Sequence, residues 1–373
     1  MEKLGFGLMR LPLLNREDPA SVDLDQVCAM VDLFLERGFT YFDTAYMYCG
    51  GRSEIVLREA LVKRHPRESF TVATKMPTMF LKTPGDQERI FAEQLEKCGV
   101  DYFDYYLLHN LGVENYRTAQ AFGTFAYLAE RKAAGQIRRL GFSFHDSPQV
   151  LEQILTGHPE VDFVQLQINY LDWEDPTIQA KSCHDVARRH VKEIVVMEPV
   201  KGGILSRIPP EAEALLKASR PNDSVASWAI RFAASQEGVM MVLSGMSSLE
   251  QMADNTDYMS RFAPCTQEDY AVLRQVVDLI HQATPVPCTA CRYCVDGCPM
   301  NIPIPTYFAL YNAEYVAQQH GYAKQLVYYT NAARGHGLAS QCVGCGQCAR
   351  SCPQHIDIPE ELKKVAQLFE NGQ

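Results

Sequence analysis

The chain has 373 residues, of which 47% are hydrophobic and 21% are charged, enough for two or three globular domains with sizeable cores. Its formal net charge of -10 at pH 7 argues against a nucleic-acid partner, because phosphates require a basic surface. The N-terminus lacks a basic segment followed by an apolar run, and no apolar stretch approaches a membrane span in length, so we expect neither secretion nor a membrane partner.

From Gly38 to Gly245, short apolar runs rich in β-branched and aromatic residues alternate with amphipathic helical stretches. This alternation predicts βαβ units on a parallel sheet. The predicted strands are 40–43, 70–74, 105–109, 139–144, 163–168, 194–197 and 240–243, with a weaker eighth near 258–262. So many strands in about 280 residues favour a closed (β/α)8 TIM barrel. No G-x-G-x-x-G motif follows the first strand, which disfavours a Rossmann domain.

A helix over 267–281 is expected to end the barrel. Pro285-Val286-Pro287 then interrupts the helical pattern and predicts a short, stiff linker. We therefore expect two domains, a barrel over 1–281 and a second domain over 282–373.

Two cysteine runs in the last quarter share one spacing, C-x-x-C-x-x-C-x-x-x-C-P, which is the bacterial iron-sulfur pattern. They are Cys288, Cys291, Cys294 and Cys298-Pro299, and Cys342, Cys345, Cys348 and Cys352-Pro353. In two-cluster ferredoxins the fourth cysteine binds the other cluster. The pattern thus predicts two [4Fe-4S] clusters, one held by Cys288, Cys291, Cys294 and Cys352, the other by Cys342, Cys345, Cys348 and Cys298.

Structural zinc is the alternative for these runs, since C-x-x-C pairs also build zinc ribbons. A zinc tetrahedron uses two pairs of ligands, so the third cysteine and the following C-P of each run would be surplus. The segment between the runs is rich in helix formers over 306–333. We therefore expect a mainly α-helical, ferredoxin-like domain.

The remaining cysteines have no ligand spacing and stand alone at Cys28, Cys49, Cys98, Cys183 and Cys265. This usage is typical of a reducing compartment and not of a disulfide framework. We expect a cytoplasmic protein.

Four polar residues follow the first three predicted strands, at the end where barrel active sites are built. Asp43 ends the first, Tyr48 follows in its loop, Lys75 ends the second and His109 ends the third. A tyrosine with a pKa of about 10 needs a neighbouring cation to act as an acid. Lys75 could supply that cation, Asp43 could orient the lysine, and His109 could position a carbonyl group.

The sequence resembles the aldo-keto reductase family over residues 3 to 281. The matching stretches are Leu4-Gly5-Phe6-Gly7-Leu8-Met9-Arg10-Leu11-Pro12, Phe42-Asp43-Thr44-Ala45-Tyr46-Met47-Tyr48 with Arg52-Ser53-Glu54, Thr74-Lys75, and Leu107-Leu108-His109-Asn110. They supply the family's tetrad at Asp43, Tyr48, Lys75 and His109. With its cysteine runs, the chain looks like the iron-sulfur members of that family.

The resemblance implies a nicotinamide cofactor, NADPH or NADH, across the mouth of the barrel, and hydride transfer to an aldehyde or ketone. By the same resemblance, Ser143 and Gln165 would hold the carboxamide and Asn169 would support the site. The adenosine end would be held by Gly245, Ser247, Glu250, Gln251 and Asn255.

Three positions depart from the family pattern. Phe144 and His145 follow Ser143, where an asparagine is usual, and Met197 replaces the aromatic residue that commonly stacks on nicotinamide. Met246 stands where many relatives have a basic residue for the 2'-phosphate, so NADH stays open beside NADPH. Residues 245–255 could also be no more than a helix start, with Ser247 or Ser248 as N-cap.

Hydride transfer moves two electrons, whereas each cluster passes one. No flavin motif is visible, although a flavin could join the two chemistries. The first hypothesis is a reductase of small carbonyl substrates whose clusters exchange electrons with a ferredoxin-like one-electron partner. The second keeps the reductase with structural clusters, and the third is an electron-transfer or redox-sensing module that binds nucleotide without turnover.

Overall fold

The structure is a computed structural model that describes residues 2–15, 18–176, 178–283, 285–288, 292, 294–295, 297–315, 325–352 and 354–370. The chain divides into two compact units. The first, the barrel unit, comprises Met1–Trp173, Ala180–Val200 and Ala226–Cys265. The second, the helical unit, comprises Glu174–Gln179, Lys201–Val225 and Thr266–Gln373.

Parallel strands form a closed barrel in sequence order, with β8 returning to pair with β1. The strands are β1 Leu4–Gly7, β2 Tyr41–Asp43, β3 Thr71–Met76, β4 Phe103–Leu111, β5 Ile137–Phe144, β6 Phe163–Gln167, β7 Glu193–Met197 and β8 Val239–Ser244. The predicted (β/α)8 barrel is confirmed, and so are the seven strands expected between residues 40 and 243.

The expected eighth strand near 258–262 is wrong. Tyr258 lies in a helix, Leu249–Met259, and the strand that completes the barrel is β1 at the N-terminus. β1 alternates its apolar residues with glycine, which hides the strand pattern. The glycine is needed there, because a Cβ at Gly5 would lie 2.8 Å from the side chain of Leu243 on β8.

Helices alternate with the strands along the chain and continue after the last strand. The helices are α1 Leu24–Glu36, α2 Tyr48–Gly51, α3 Ser53–Leu57, α4 Asp86–Cys98, α5 Val113–Ala121, α6 Thr124–Ala133, α7 Pro148–Gly157, α8 Ala180–Arg189, α9 Pro210–Ser219, α10 Val225–Ala234, α11 Leu249–Met259 and α12 Gln267–Gln282. Asp23 caps α1 by accepting a hydrogen bond from the Gln26 amide, and α1 buries Val27, Met30, Val31 and Phe34. The predicted helix over 267–281 is confirmed as α12, which Thr266 and Asp269 begin with a reciprocal capping box.

Aromatic and aliphatic side chains from β2 to β4 and from β6 to β8 fill the barrel interior. They are Tyr41, Ala73, Tyr105, Leu107, Phe163, Val195, Met241 and Leu243. Side chains along a strand alternate between its two faces, so a residue two positions farther on faces the same interior. Asp43, Lys75 and His109 each lie two positions after one of these core residues. The strand period therefore carries them to the top of the core, at the C-terminal mouth of the barrel.

Beyond α12, the described helices are α13 Ile304–Tyr315, α14 Leu326–Ala333, α15 Gln347–Arg350 and α16 Ile358–Phe369. The expected helical stretch over 306–333 is confirmed where it is described, in α13 and α14, and residues 316–324 lie outside the described part. No helix in the described part of the chain is both long and apolar enough to cross a membrane.

Candidate active site and cluster sites

Lys75 and Asp43 form a buried ion pair at the mouth of the barrel. The Lys75 ammonium donates to Asp43 Oδ1 at 2.6 Å and to the Thr44 carbonyl at 2.8 Å. Lys75 is 0% exposed and Asp43 is 2% exposed. Burial alone would lower the pKa of Lys75, but the Asp43 carboxylate and the Tyr48 hydroxyl outweigh it and raise that pKa. The lysine therefore stays charged at neutral pH.

The structure brings Tyr48 to this ion pair, since the Lys75 ammonium lies 4.9 Å from the centre of its ring. Burial raises the pKa of Tyr48, and the charge and hydrogen bond of Lys75 lower it without cancelling that rise. Lys75 thus lowers the pKa of the phenol, as expected, but the overall pKa of Tyr48 is raised because burial has the larger effect. Tyr48 consequently carries its proton at neutral pH.

His109 completes the arrangement, because its ring lies edge-on to that of Tyr48 with 5.9 Å between ring centres. Burial, with the positive charge of Lys75 and the nearby His145, holds the pKa of His109 well below its usual value. Its Nδ1 is buried and has no hydrogen-bond partner among the described residues. A neutral imidazole can donate one hydrogen bond, which suits a carbonyl oxygen held beside the phenol.

A buried polar network holds the strand segment that carries Lys75. Glu54 Oε1 accepts hydrogen bonds from Thr74 Oγ1 at 2.7 Å and from Gln94 Nε2 at 2.6 Å. Gln94 also donates to the Lys75 carbonyl at 3.1 Å, and Tyr106 donates to Gln94 Oε1. Burial raises the pKa of Glu54. Gln94 is absent from the residues predicted above, although its position on the buried face of α4, between Ile90 and Cys98, would have indicated it.

The residues expected to bind the carboxamide differ in whether their polar atoms already have hydrogen-bond partners in the protein. Ser143 Oγ accepts the Asn110 amide at 2.8 Å, and Gln165 Nε2 lies 3.5 Å from Met197 Sδ. Gln165 Oε1 is buried and has no partner among the described residues, which fits an acceptor for the amide group of a nicotinamide. Asn169 is fully buried, and its side chain hydrogen-bonds within the loop after β6 and to the Glu198 carbonyl.

The residues expected at the adenosine end lie around the start of α11. Gly245, Ser247, Glu250 and Gln251 are exposed, whereas Asn255 is buried and donates to Ser244 Oγ at 2.8 Å. Ser248 caps α11 by accepting the Gln251 amide, so the helix start is confirmed, with Ser248 and not Ser247 as its N-cap. The amide groups exposed at such a helix start suit a phosphate.

An ion pair between Arg10 and Glu198 stands beside this helix start and was not predicted. The Arg10 guanidinium lies 2.9 Å from Glu198 Oε1, and Ser247 Oγ donates to the Arg10 carbonyl at 2.7 Å. Glu198 has φ +54, which a residue with a side chain rarely adopts. Its negative charge adds to the rise that burial causes in the pKa of Tyr48 and opposes the lowering that burial causes in the pKa of His145. Backbone strain of this kind gathers at functional sites. A glutamate directly after a predicted strand is the sequence feature that could have indicated Glu198 as a site residue.

Two cysteine-lined cavities lie in the helical unit. The first cavity is lined by Cys288, Cys294 and Cys352, and the second by Cys298, Cys342, Cys345 and Cys348. Each cavity thus takes the fourth cysteine of the opposite run. Cys291, expected at the first, lies outside the described residues.

The four cysteines of the second cavity surround a space and do not meet at a point. Among the described residues, no three cysteine, histidine or acidic side chains converge to hold a single metal ion. A zinc tetrahedron requires such convergence, with Zn–S bonds of about 2.3 Å. A cubane, in which each thiolate binds a separate iron, fits thiols spread around a cavity.

The two cysteine runs belong to a longer repeat than the cysteines alone indicate. Cys298-Pro299-Met300-Asn301-Ile302-Pro303-Ile304-Pro305 corresponds to Cys352-Pro353-Gln354-His355-Ile356-Asp357-Ile358-Pro359. Asn301 and His355 occupy equivalent positions with φ +52 and +55, and helices α13 and α16 begin at the equivalent residues Ile304 and Ile358. The repeat therefore runs from the cysteines into the two helices that follow them.

Comparison with known proteins accounts for both parts of the chain. The NADH-specific methylglyoxal reductase of Escherichia coli is 33% identical over 171 residues, which is 40% of this chain and 51% of that protein. The chain spans about half the length of the curated relatives that it matches first.

Solved structures match over a longer part. An aldo-keto reductase from Bacillus halodurans in its holo form is 25% identical with a TM-score of 0.57, over 74% of this chain and 91% of that one. An aldo/keto reductase from Klebsiella pneumoniae, in complex with NADP and acetate, is 19% identical with a TM-score of 0.58 over the same shares and shows the fold alone.

Two family models match in succession. The 4Fe-4S dicluster domain matches residues 287–356, which contain both cysteine runs. The aldo/keto reductase family model matches residues 3–278, which include the whole barrel and the four polar residues at its mouth. The chain therefore belongs to the aldo/keto reductase family and carries a 4Fe-4S dicluster domain after the barrel.

Proposed function

We propose that the protein is an oxidoreductase that reduces a small aldehyde or ketone with NADH or NADPH, or oxidises the corresponding alcohol. The observation that carries the proposal is a protonated phenol, Tyr48, held between a charged lysine and a neutral histidine at the mouth of the barrel. A pure nucleotide-binding module has no need for such a phenol, which argues against the third hypothesis.

The protein's own residues carry out the proton transfer of the reaction. Tyr48 gives its proton to the carbonyl oxygen, while Lys75 stabilises the phenolate that remains. His109, being neutral, positions the same oxygen with a hydrogen bond. Asp43 keeps Lys75 charged and in place. In the oxidative direction the same groups take the proton from the alcohol.

A bound nicotinamide would supply or accept the hydride. Gln165 is the best-suited residue to hold its carboxamide, because Oε1 of that side chain is buried without a partner among the described residues. Ser143 and Asn169 hold the loops around this position, and the start of α11 receives the adenosine end with Gly245, Ser247, Glu250, Gln251 and Asn255.

Two features favour NADH over NADPH. Met246 is buried and offers no charge to a 2'-phosphate. Arg10, whose backbone carbonyl accepts a hydrogen bond from Ser247, already pairs its guanidinium with Glu198. An anion gains little from a cation that a carboxylate has neutralised.

The dicluster domain supports a second role, one-electron exchange with a ferredoxin-like partner. Cys345 is exposed, and Val343 beside it is 62% exposed, so one side of the second cavity faces solvent. A purely structural cluster gains nothing from such exposure.

The domain boundary near residue 281 remains our proposal and agrees with family models that end at 278 and begin at 287. Oxygen-sensitive clusters suit the cytoplasm.

Anaerobic purification with iron and sulfide analysis, followed by titration with NADH and NADPH separately, tests the proposal. We expect carbonyl-dependent oxidation of the nucleotide, and bleaching of the cluster absorbance if the two halves exchange electrons. If turnover proceeds while the clusters stay oxidised, the proposed reductase activity would stand and the clusters would have a structural role. Binding without any turnover over a panel of aldehydes and ketones would contradict the proposed activity, and the spectrum would also reveal a flavin.

A further inference from the structure

The two cysteine runs differ in charge at the position after their second cysteine. Arg292 follows the second cysteine of the first run, and Gly346 follows the second cysteine of the second run. Both residues have φ +68, so the two loops take the same left-handed backbone conformation at this point.

Glycine adopts that conformation without a steric penalty, whereas a residue with a Cβ is strained in it. The second run has glycine, as the backbone requires. The first run keeps an arginine in a conformation that glycine would serve better. A residue held in this conformation points to a functional role for its side chain.

The surroundings of the two cavities indicate what it contributes. Arg292 lines the first cavity together with Cys288, Cys294 and Cys352. Among the described residues that line the second cavity there is no lysine, arginine, aspartate or glutamate, and its walls are cysteines, glycines, prolines and apolar side chains. Arg292, an exposed residue, is thus the charged residue among the described linings of the two cavities, while Arg350 of the second run lies outside both linings with its guanidinium near the Cys345 carbonyl.

We propose that Arg292 raises the reduction potential of the cluster at the first cavity above that of the cluster at the second. Reduction adds one negative charge to a cluster that is already anionic through its four thiolates. A cation at the cavity wall stabilises the reduced form more than the oxidised form, and net charge near a cluster is among the factors that set its potential. An electron shared between the two sites would then rest at the first.

This inference rests on the proposed function, because it takes both cavities as [4Fe-4S] sites. To that function the inference adds the order in which the two clusters receive the electron. The second site, with Cys345 and Val343 exposed, meets the one-electron partner, and the first site holds the electron after it has entered.

The test is a redox titration of the full-length protein with both clusters in place, followed by electron paramagnetic resonance and visible absorbance. Arg292→Gln should move one of the two midpoints to lower potential and leave the other unchanged. Arg292→Lys, which keeps the charge, should keep most of the original separation. Arg350→Gln is the matched control, because this arginine lies in the second run, near the Cys345 carbonyl and outside the lining of the first cavity. It should leave the higher midpoint in place.

The reciprocal variant Gly346→Arg places a guanidinium at the equivalent position of the second run. A Cβ there would meet only the far end of the Arg350 side chain, at 3.3 Å, and the left-handed backbone would strain the new residue as it strains Arg292 in the first run. We expect the lower midpoint to rise. Arg292→Gly removes the charge and also relieves the strain of the left-handed backbone, so its effect cannot be attributed to misfolding. It should lower the same midpoint as Arg292→Gln.

Unchanged midpoints in Arg292→Gln and Arg292→Gly, with full iron and sulfide content, would overturn the inference, and so would an equal shift of both midpoints. The readout is separate from catalysis. A protein that shows the expected shifts yet reduces no carbonyl would count against the proposed reductase and not against the role of Arg292.

Discussion

Lys75 Nζ lies 2.6 Å from Asp43 Oδ1, and this buried contact joins the ends of two adjacent strands. Removing one member of a buried ion pair leaves the other charge without compensation and costs about 3–5 kcal/mol. We therefore expect Asp43→Asn to lower the free energy of unfolding by that amount, measured by urea denaturation. The double variant Asp43→Asn with Lys75→Met should recover part of the loss.

The exposed pair of Arg117 and Glu114, with side chains 69% and 47% exposed, provides the control. Glu114→Gln should change the free energy of unfolding by less than about 1 kcal/mol. Equal costs for Asp43→Asn and Glu114→Gln would contradict the buried-pair argument.

Tyr48→Phe removes the proposed acid and little else. A general acid usually contributes a factor of about 10²–10⁴ to the rate, so we expect turnover of carbonyl substrate to fall by at least about 100-fold. Binding of the nucleotide, followed by quenching of protein fluorescence, should persist. Tyr46→Phe is the matched control, because Tyr46 lies in the same loop and its hydroxyl donates to Glu93. Activity that survives in Tyr48→Phe would show that another group supplies the proton.

The two histidines at the mouth of the barrel make stability depend on pH. Burial lowers the pKa of His145 to about 4 and that of His109 well below its usual value. In the unfolded chain both take up a proton near pH 6.5. The unfolded state then binds more protons than the folded state, so stability is full above about pH 6.5 and falls as the pH drops toward 4.

Each such histidine contributes a slope of about 1.4 kcal/mol per pH unit within its window. His145→Gln should therefore flatten the decline between pH 6 and pH 4, as measured by urea denaturation at each pH. His336→Gln, at an exposed position, should leave the decline as it is. The same slope in wild type and His145→Gln would rule out this histidine as a source of the pH dependence.

Much of this architecture could be predicted from period and spacing, and the exceptions have physical reasons. Strands β2 to β8 are runs of β-branched and aromatic residues, whereas β1 contains Gly5 and Gly7, and at Gly5 the side chains of the neighbouring strands need the space. Residues 258–262 were expected to form the eighth strand, but Tyr258 lies near the end of α11, whose 3.6-residue period buries Met252, Asn255, Thr256 and Met259. The long-range pairs could not be predicted, since Arg10 and Glu198 meet only when the barrel closes between β8 and β1.

The Arg10–Glu198 pair leads to a prediction about the nucleotide. Glu198→Gln releases the Arg10 charge beside Ser247, so the affinity for NADPH should rise relative to NADH. The expected change in the ratio of dissociation constants is on the order of 10-fold, the equivalent of about 1.4 kcal/mol. The double variant Arg10→Gln with Glu198→Gln should return the ratio to that of the wild type. No change in Glu198→Gln would mean that Arg10 does not reach the 2'-phosphate.

The exchange of fourth cysteines between the two runs can be tested with pairs of substitutions. If Cys298 completes the second cavity, then Cys298→Ser with Cys345→Ser removes two ligands of one cluster and should halve the iron and sulfide content. Cys298→Ser with Cys288→Ser removes one ligand from each cluster and should lower the content much further. If each run instead held its own cluster, the two results would be reversed, because Cys298 and Cys288 would then share a site. Cys28→Ser, at a half-buried cysteine of the barrel unit, serves as the control and should leave the content unchanged. Cys298 and Cys345 line one cavity and Cys288 lines the other, which is why we expect the first outcome.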